Sequence, residues 1–282
     1  MTLIQTKSLT SQQLLEISGL IDACRCHDRI RLSYPAEDFC TDISSVQEAA
    51  DETASGCGCH WLLYDDDGIL ACALALMIED DNLAECAAFT HPDRRRRGYF
   101  NRLLECALPY CEDRDILFTV DQSCADTVGV LQALDASWDS DEHQMERILN
   151  ADAPLPSSLV HRDVTLSCAE AESSRDASAP DPAASVWNLC LKERSCSLPD
   201  VLGQCSTFAV SPDCVCLHHV LIDPRCRRQG YGMDLITLVL SRLAPAGIHK
   251  VILQVSGSND AALSLYKKTG FRITETLSSY YY

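Results

Sequence analysis

Apolar residues near the amino terminus recur at helical intervals. Thr10 is followed by Gln13 at capping-box spacing, and Leu14, Leu15, Ile17, Leu20 and Ile21 then mark one face. The pattern predicts that the first sixty residues are mainly helical. Beyond that the period shortens. Residues 61–64, the turn Asp65-Asp66-Asp67-Gly68 and the apolar run 69–78 predict a hairpin, and a further strand ends near Thr90. His91-Pro92 breaks the chain, and Gly98 precedes a helix with Leu103, Leu104 and Leu108 on one side. A strand over 116–120, a helix over 128–134 and a strand over 144–149 complete the first half.

Residues 153–158 and 173–185 are small, polar and proline-containing, and read as linkers. The same order of elements then returns. Strands are expected over 186–193, 201–210 and 215–222, followed by a break at Asp223-Pro224 and a helix over about 233–243. A strand over 251–255, a helix from Asn259 and a strand from Ile273 to the end close the series. One offset of 132 residues pairs Pro92 with Pro224, Arg96 with Arg228, Gly98 with Gly230 and Tyr99 with Tyr231. The chain is an internal repeat, with halves expected at 1–160 and 164–282.

Composition narrows the classes of function. Of 282 residues, 46% are hydrophobic and 23% charged, which suits a packed core and excludes wholesale disorder. Lys and Arg number 23 against 41 Asp and Glu, a net charge of −18. That balance argues against nucleic acid or an anionic membrane as a partner. No apolar run approaches the ~18 residues of a membrane span, and residues 1–10 show no signal pattern, so a cytoplasmic protein is expected. The 17 cysteines are then expected to be reduced thiols, many of them core residues. Three clusters, Cys24-Arg-Cys26-His27, Cys57-Gly-Cys59-His60 and Cys214-Val-Cys216 with His218 and His219, invite a metal reading. Their C-x-C spacing is unlike that of structural zinc sites, and no metal is expected.

Candidate chemistry concentrates in the second half. Arg227-Arg228-Gln229-Gly230-Tyr231-Gly232 follows a predicted strand and opens a predicted helix. Consecutive N–H groups and the helix dipole make such a place an anion site, and glycines at 230 and 232 allow close backbone approach to a pyrophosphate. Downstream, Asn259 suits an N-cap, Gly270 a C′ position with Phe271 packing back, and Tyr266 a core aromatic beside Ala262 and Leu263.

Taken together these residues resemble the GNAT superfamily of acyl-CoA-dependent N-acyltransferases. The segment Arg227-Arg-Gln-Gly230-Tyr-Gly232 carries the pattern R/Q-x-x-G-x-G/A, and Asn259 to Phe271 carries N-x-x-A-x-x-L-Y-x-x-x-G-F. The resemblance covers about 186–282, and the first half more weakly. It implies an α/β fold of two tandem domains. Each would be a twisted, mostly antiparallel mixed sheet with splayed strands four and five, flanked by helices. It also implies acetyl-CoA as co-substrate. The backbone of Val220, Leu221 and Ile222 would hold the pantetheine, and Arg227, Arg228, Gln229, Gly230, Tyr231, Gly232 and Met233 the pyrophosphate. Asn259 would bind the coenzyme further along, and Tyr266 would be the general acid. The acceptor would be a small-molecule or peptide amine.

One position departs from the pattern. Gln254 stands where several members carry a glutamate base, and Glu193 and His219 are the candidate replacements. In the first half Phe100 replaces Gly232, and an offset of 135 places Leu131 against Tyr266, Asp135 against Gly270 and Ala136 against Phe271. That half reads as a degenerate copy without the acid. A non-catalytic acyl-CoA-binding or regulatory module is the alternative, and Gln254 keeps it in play.

Overall fold

A computed structural model of the chain describes residues 1–32, 34–35, 58–78, 82–111, 114–149, 159–170, 185–192 and 198–282. Thr10 closes the expected capping box onto Gln13 and starts α1 (Ser11–Asp28). The rest of the expected amino-terminal helical region does not follow suit. Thr2–Thr6 is a strand, β1, and 36–57 lie outside the described residues.

The chain divides into two compact units, Met1–Asp141 with Leu277–Tyr282, and Glu142–Thr276. In the first, β1, β2 (Gly58–Tyr64), β3 (Leu70–Ile78) and β4 (Leu83–Thr90) pair antiparallel in succession. β4 runs parallel to β5 (Asp115–Asp121), and Leu277–Tyr281 of β12 (Arg272–Tyr281) pairs antiparallel with β5. Residues 70–76 of β3 are all buried, as an unbroken apolar run requires when both faces are covered. α1 sets Ile17, Leu20 and Ile21 against Leu62, Ala73 and Phe89 in one core. α2 (Tyr99–Ala107) places Leu103, Leu104 and Ala107 in another with Trp61, Leu74 and Phe118. α3 (Ala125–Ala133) follows β5 and buries Leu131.

The second unit orders its strands from β6 (Ser137–Ile148) through β11 (Lys250–Ser256), β10 (Cys214–Ile222), β9 (Val201–Ser211) and β8 (Ser185–Leu191) to β7 (Val164–Glu170). α4 (Tyr231–Leu243) and α5 (Asp260–Lys268) share its core with Val215, Leu217, Val251 and Leu253. The units therefore differ from the halves 1–160 and 164–282. Residues 142–148 of β6 pair along the whole of β11, and the last residues of β12 pair with β5. Among the described residues no helix is long and apolar enough to cross a membrane.

Candidate active site

β10 and β11 are paired, in parallel, only at Cys214–Lys250, Val215–Val251 and Cys216–Ile252. Beyond that point β10 pairs with β9 alone and β11 with β6 alone. The two strands part and leave a wedge. A bulge explains the divergence. Between His218 and Leu221 the β9 register slips by one residue, and His219 takes φ 50°. An extra residue on one strand bends it and raises its twist. Past Cys216, the edge of β10 turned toward β11 is left without a strand partner, and Val220, Leu221 and Ile222 line it.

The chain leaves β10 through Asp223, whose carboxylate accepts from Arg225 N at 2.9 Å and starts a short 3-10 turn over Pro224–Cys226. Arg228 has φ 59° and Gly230 φ 102°, and α4 begins at Tyr231. No hydrogen bond reaches the N–H groups of residues 228–232 among the described residues. Five successive open amides at a helix start form an anion-binding nest. Met233 differs, since its N–H bonds Gly230 O at 2.9 Å. Arg227 Nε donates to Ile222 O at 3.0 Å, Gln229 Nε2 to Arg225 O at 2.7 Å, and Arg225 pairs with Asp223. Neither Arg227 nor Arg228 has a carboxylate partner among the described residues.

The chain's own packing also demands both glycines. A Cβ on Gly230 would lie 2.8 Å from Val160 Cγ1, and one on Gly232 3.2 Å from Leu265 Cδ2 of α5. Val160 belongs to a strap that sequence reasoning missed. Buried Asp234 accepts from Val160 N at 2.6 Å, His161 N at 3.1 Å and, at 2.7 Å, pairs with His161 Nδ1. The only trace of this in the sequence is a carboxylate inside the apolar stripe of α4.

Asn259 caps α5, its Oδ1 accepting from Ala262 N at 3.1 Å. The amide nitrogen of that side chain is left for any other role. Tyr266 is buried in the core of the unit, with its ring edge-on to Phe271 at 5.8 Å. Burial, helped by nearby Cys205, pushes its phenol up to about 12, so it stays protonated at physiological pH. The end of α5 is fixed by Phe271 N bonding Tyr266 O and by Gly270 at φ 87°. Arg147 Nη1 of β6 donates to Thr269 O at 2.6 Å, placing a cation at the negative end of the helix. A Cβ on Gly270 would sit 1.5 Å from that nitrogen. Of the candidate bases, Glu193 lies outside the described residues, and His219 is exposed at the bulge.

The first unit repeats this backbone with different chemistry. β4 and β5 also part, after Cys86–Phe118. Arg96 and Gly98 share the positive φ of Arg228 and Gly230, and Asp135, at φ 60°, shares that of Gly270. Ala136 N bonds Leu131 O as Phe271 N bonds Tyr266 O. The loop cations, however, are engaged within the unit. Arg94 pairs with Asp65 at 2.9 Å, Arg95 with Asp28, and Arg96 with Asp126 at 2.7 Å. Phe100 packs edge-on to Phe118, and buried Leu131 occupies the place of the phenol.

A family model described as the acetyltransferase (GNAT) family matches residues 25–129 and again 150–271. The ribosomal protein bS18-alanine N-acetyltransferase of Escherichia coli is 32% identical over 82 residues, 28% of this chain and 55% of that protein. The chain thus matches about half the length of that relative. Two solved structures share the whole fold at 15% identity. A GCN5-related N-acetyltransferase from Sphaerobacter thermophilus gives a TM-score of 0.69 over 99% of this chain and 95% of its own. A tandem GNAT protein from the clavulanic acid biosynthesis pathway gives 0.62 over 100% and 98%.

Proposed function

We propose, from the premise that this chain belongs to the acetyltransferase (GNAT) family, that its second unit moves an acetyl group from acetyl-CoA to a primary amine. The observation that carries the proposal is the wedge beyond Cys216–Ile252 together with the five open amides at residues 228–232. An extended pantetheine arm would add to the free edge at Val220, Leu221 and Ile222 as a strand does. The amides, with Arg227 and Arg228, suit a pyrophosphate, and the Asn259 amide nitrogen suits a group further along the coenzyme.

The chemistry asked of these residues is modest. A neutral amine attacks the thioester carbonyl, and oriented backbone N–H groups of β10 stabilise the charge that builds on oxygen. Tyr266 gives its proton to the departing sulfur. A thiol has an ordinary pKa of about 8.5. The phenol, raised by burial, is held as a donor until negative charge develops beside it. Holding both reactants in one cleft supplies much of the remaining acceleration. The acceptor is a small-molecule or peptide amine. The relative from Escherichia coli is named for an alanine acceptor on a ribosomal protein, which is consistent with an amine here.

Calorimetric titration with acetyl-CoA, run beside thiol-release assays on a panel of primary amines, tests the proposal. Binding with turnover of at least one amine is expected. Gln254, which has no basic lone pair at neutral pH, favours a second reading, a non-catalytic acyl-CoA-binding module. Binding without turnover on any amine selects that reading.

A further inference from the structure

An amine acceptor must shed a proton, and Gln254 cannot take it. The strand register points to the group that can. Val215 and Leu217 of β10, and Val251 and Leu253 of β11, are buried in the core shared with α4 and α5. Strand side chains alternate between faces, so Cys216, His218, Ile252 and Gln254 lie on the opposite face. Cys216–Ile252 is the last rung before the strands part. One step further along each strand, on that same face, stand His218 and Gln254, on the two sides of the fork.

We propose that His218 is the proton acceptor for the amine, working across the fork from Gln254; this rests on the acetyl-transfer reading above. His218 is half-buried, with Phe208 of β9 edge-on to its ring at 5.2 Å. Its Nδ1 lies 2.9 Å from Nδ1 of His219. One of these nitrogens must donate and the other accept. When His218 Nδ1–H donates, the lone pair sits on Nε2, and the bond to His219 persists after Nε2 is protonated. Burial, and then the neighbouring His219, lower the affinity of His218 for a second proton, so the ring is neutral and able to accept at physiological pH.

The charged and titratable groups around it are few. On its own strand are His219 and, on the same face, Cys216, whose thiol burial holds protonated. Gln204, Ser206 and Phe208 on β9 do not titrate. On β11 the same face carries Lys250, behind Ile252 at the closed end of the fork, and on β6 it carries Glu142 and Glu146. Atoms balance over the step. The amine nitrogen bonds the carbonyl carbon, the carbon–sulfur bond breaks, the amine proton passes to His218 Nε2, and the sulfur takes the Tyr266 proton. Solvent then restores both residues.

The test compares wild type with His218→Ala and His218→Gln, using acetyl-CoA with an alanine-initiated peptide, spermidine and a simple alkylamine as acceptors. Calorimetry with acetyl-CoA first reports whether each variant keeps the folded cleft, and Kd within twofold of wild type is expected. The best acceptor should lose about 10²–10⁴ in kcat in both variants, the range of general-base catalysis. Wild-type kcat/KM should fall on the acid side with an apparent pKa below the ordinary histidine value of about 6.5, and this limb should vanish in both variants. Added imidazole should restore part of the rate in His218→Ala. A variant that binds acetyl-CoA and retains both rate and acid limb overturns the role of His218 and leaves the acetyl-transfer reading standing. Wild type that binds but acetylates none of the three overturns both.

Discussion

His161 pairs with the fully buried Asp234 at 2.7 Å and stacks on Tyr231, ring centroids 4.0 Å apart and planes within 11°. The strap around His161 is thereby clamped to the first turn of α4, with Val160 filling the space beside Gly230. Asp234→Ala would leave three part-buried donors without their acceptor, and a hydrogen bond to a charged group contributes about 1.5–3 kcal/mol. Denaturant unfolding should report a loss of that order, and the Kd for acetyl-CoA should rise as the loop loosens. An unchanged midpoint would mean that the strap is held by other forces.

Tyr266→Phe removes the proton and keeps the ring against Phe271. The expected result is a fall in kcat of about 10²-fold or more with Kd for acetyl-CoA unaltered, since general-acid loss acts on the transition state. Equal turnover in the two proteins would remove the phenol from the mechanism.

Arginines of the two loops should answer differently to mutation. Arg228 has no carboxylate partner among the described residues, so Arg228→Glu should weaken acetyl-CoA about tenfold, or ~1.4 kcal/mol, most clearly at low salt. Arg95→Ala should leave coenzyme affinity alone and lower stability, because the Asp28 carboxylate loses its bidentate partner and keeps only His27. Burial works to raise the affinity of Asp28 for a proton, yet the hydrogen bonds from Arg95 and His27 outweigh it and hold the carboxyl below its ordinary range. The folded state therefore binds this proton less readily than the unfolded one. The pair stabilises fully above about pH 4, and its contribution is lost as pH falls through the lowered value. Midpoints of urea unfolding measured from pH 6 downward should show a smaller acid dependence in Arg95→Ala.

Gly270 and Asp135 share a left-handed backbone at the ends of α5 and α3. Gly270→Ala meets both the positive φ and the Arg147 guanidinium, and should lower stability by about 1–3 kcal/mol. Asp135→Gly relieves the backbone at little other cost, and calorimetry should find the protein unchanged or slightly more stable. A larger loss at Asp135 than at Gly270 would contradict this account of both helix ends.

A fragment of residues 164–282 lacks the strand that covers β11. It should be insoluble or lack a cooperative unfolding transition, because an unpaired apolar strand edge invites aggregation. A soluble fragment that unfolds cooperatively would show that β6 is dispensable.

Short-range features were legible in the sequence. The repeated loop, with its matched pairs Arg96–Arg228 and Gly98–Gly230, follows from residues within a few positions of each other, and the backbone repeats with the spacing. The capping box at Thr10 is equally local. What was missed depends on distant partners. β1 is only five residues long, and β6 begins with Ser137–Asp141, where Trp138 is the single apolar residue and no alternation shows. β7 does alternate, at Val164, Leu166 and Cys168, but it is hidden between two linker-like stretches. Arg147 and Asp234 are charges whose meaning lies 122 and 73 residues away, at Thr269 and His161. No local pattern marks them.

The assignment of β6 to the second unit has an evolutionary corollary. A duplicated copy that has lost its phenol and tied down its arginines would ordinarily be free to decay or be deleted. Here the second unit takes a strand and a helix-capping guanidinium from the stretch encoded before the linker. Deleting that stretch would strip β11 of its partner strand and α5 of its cap, whatever chemistry the first repeat performs.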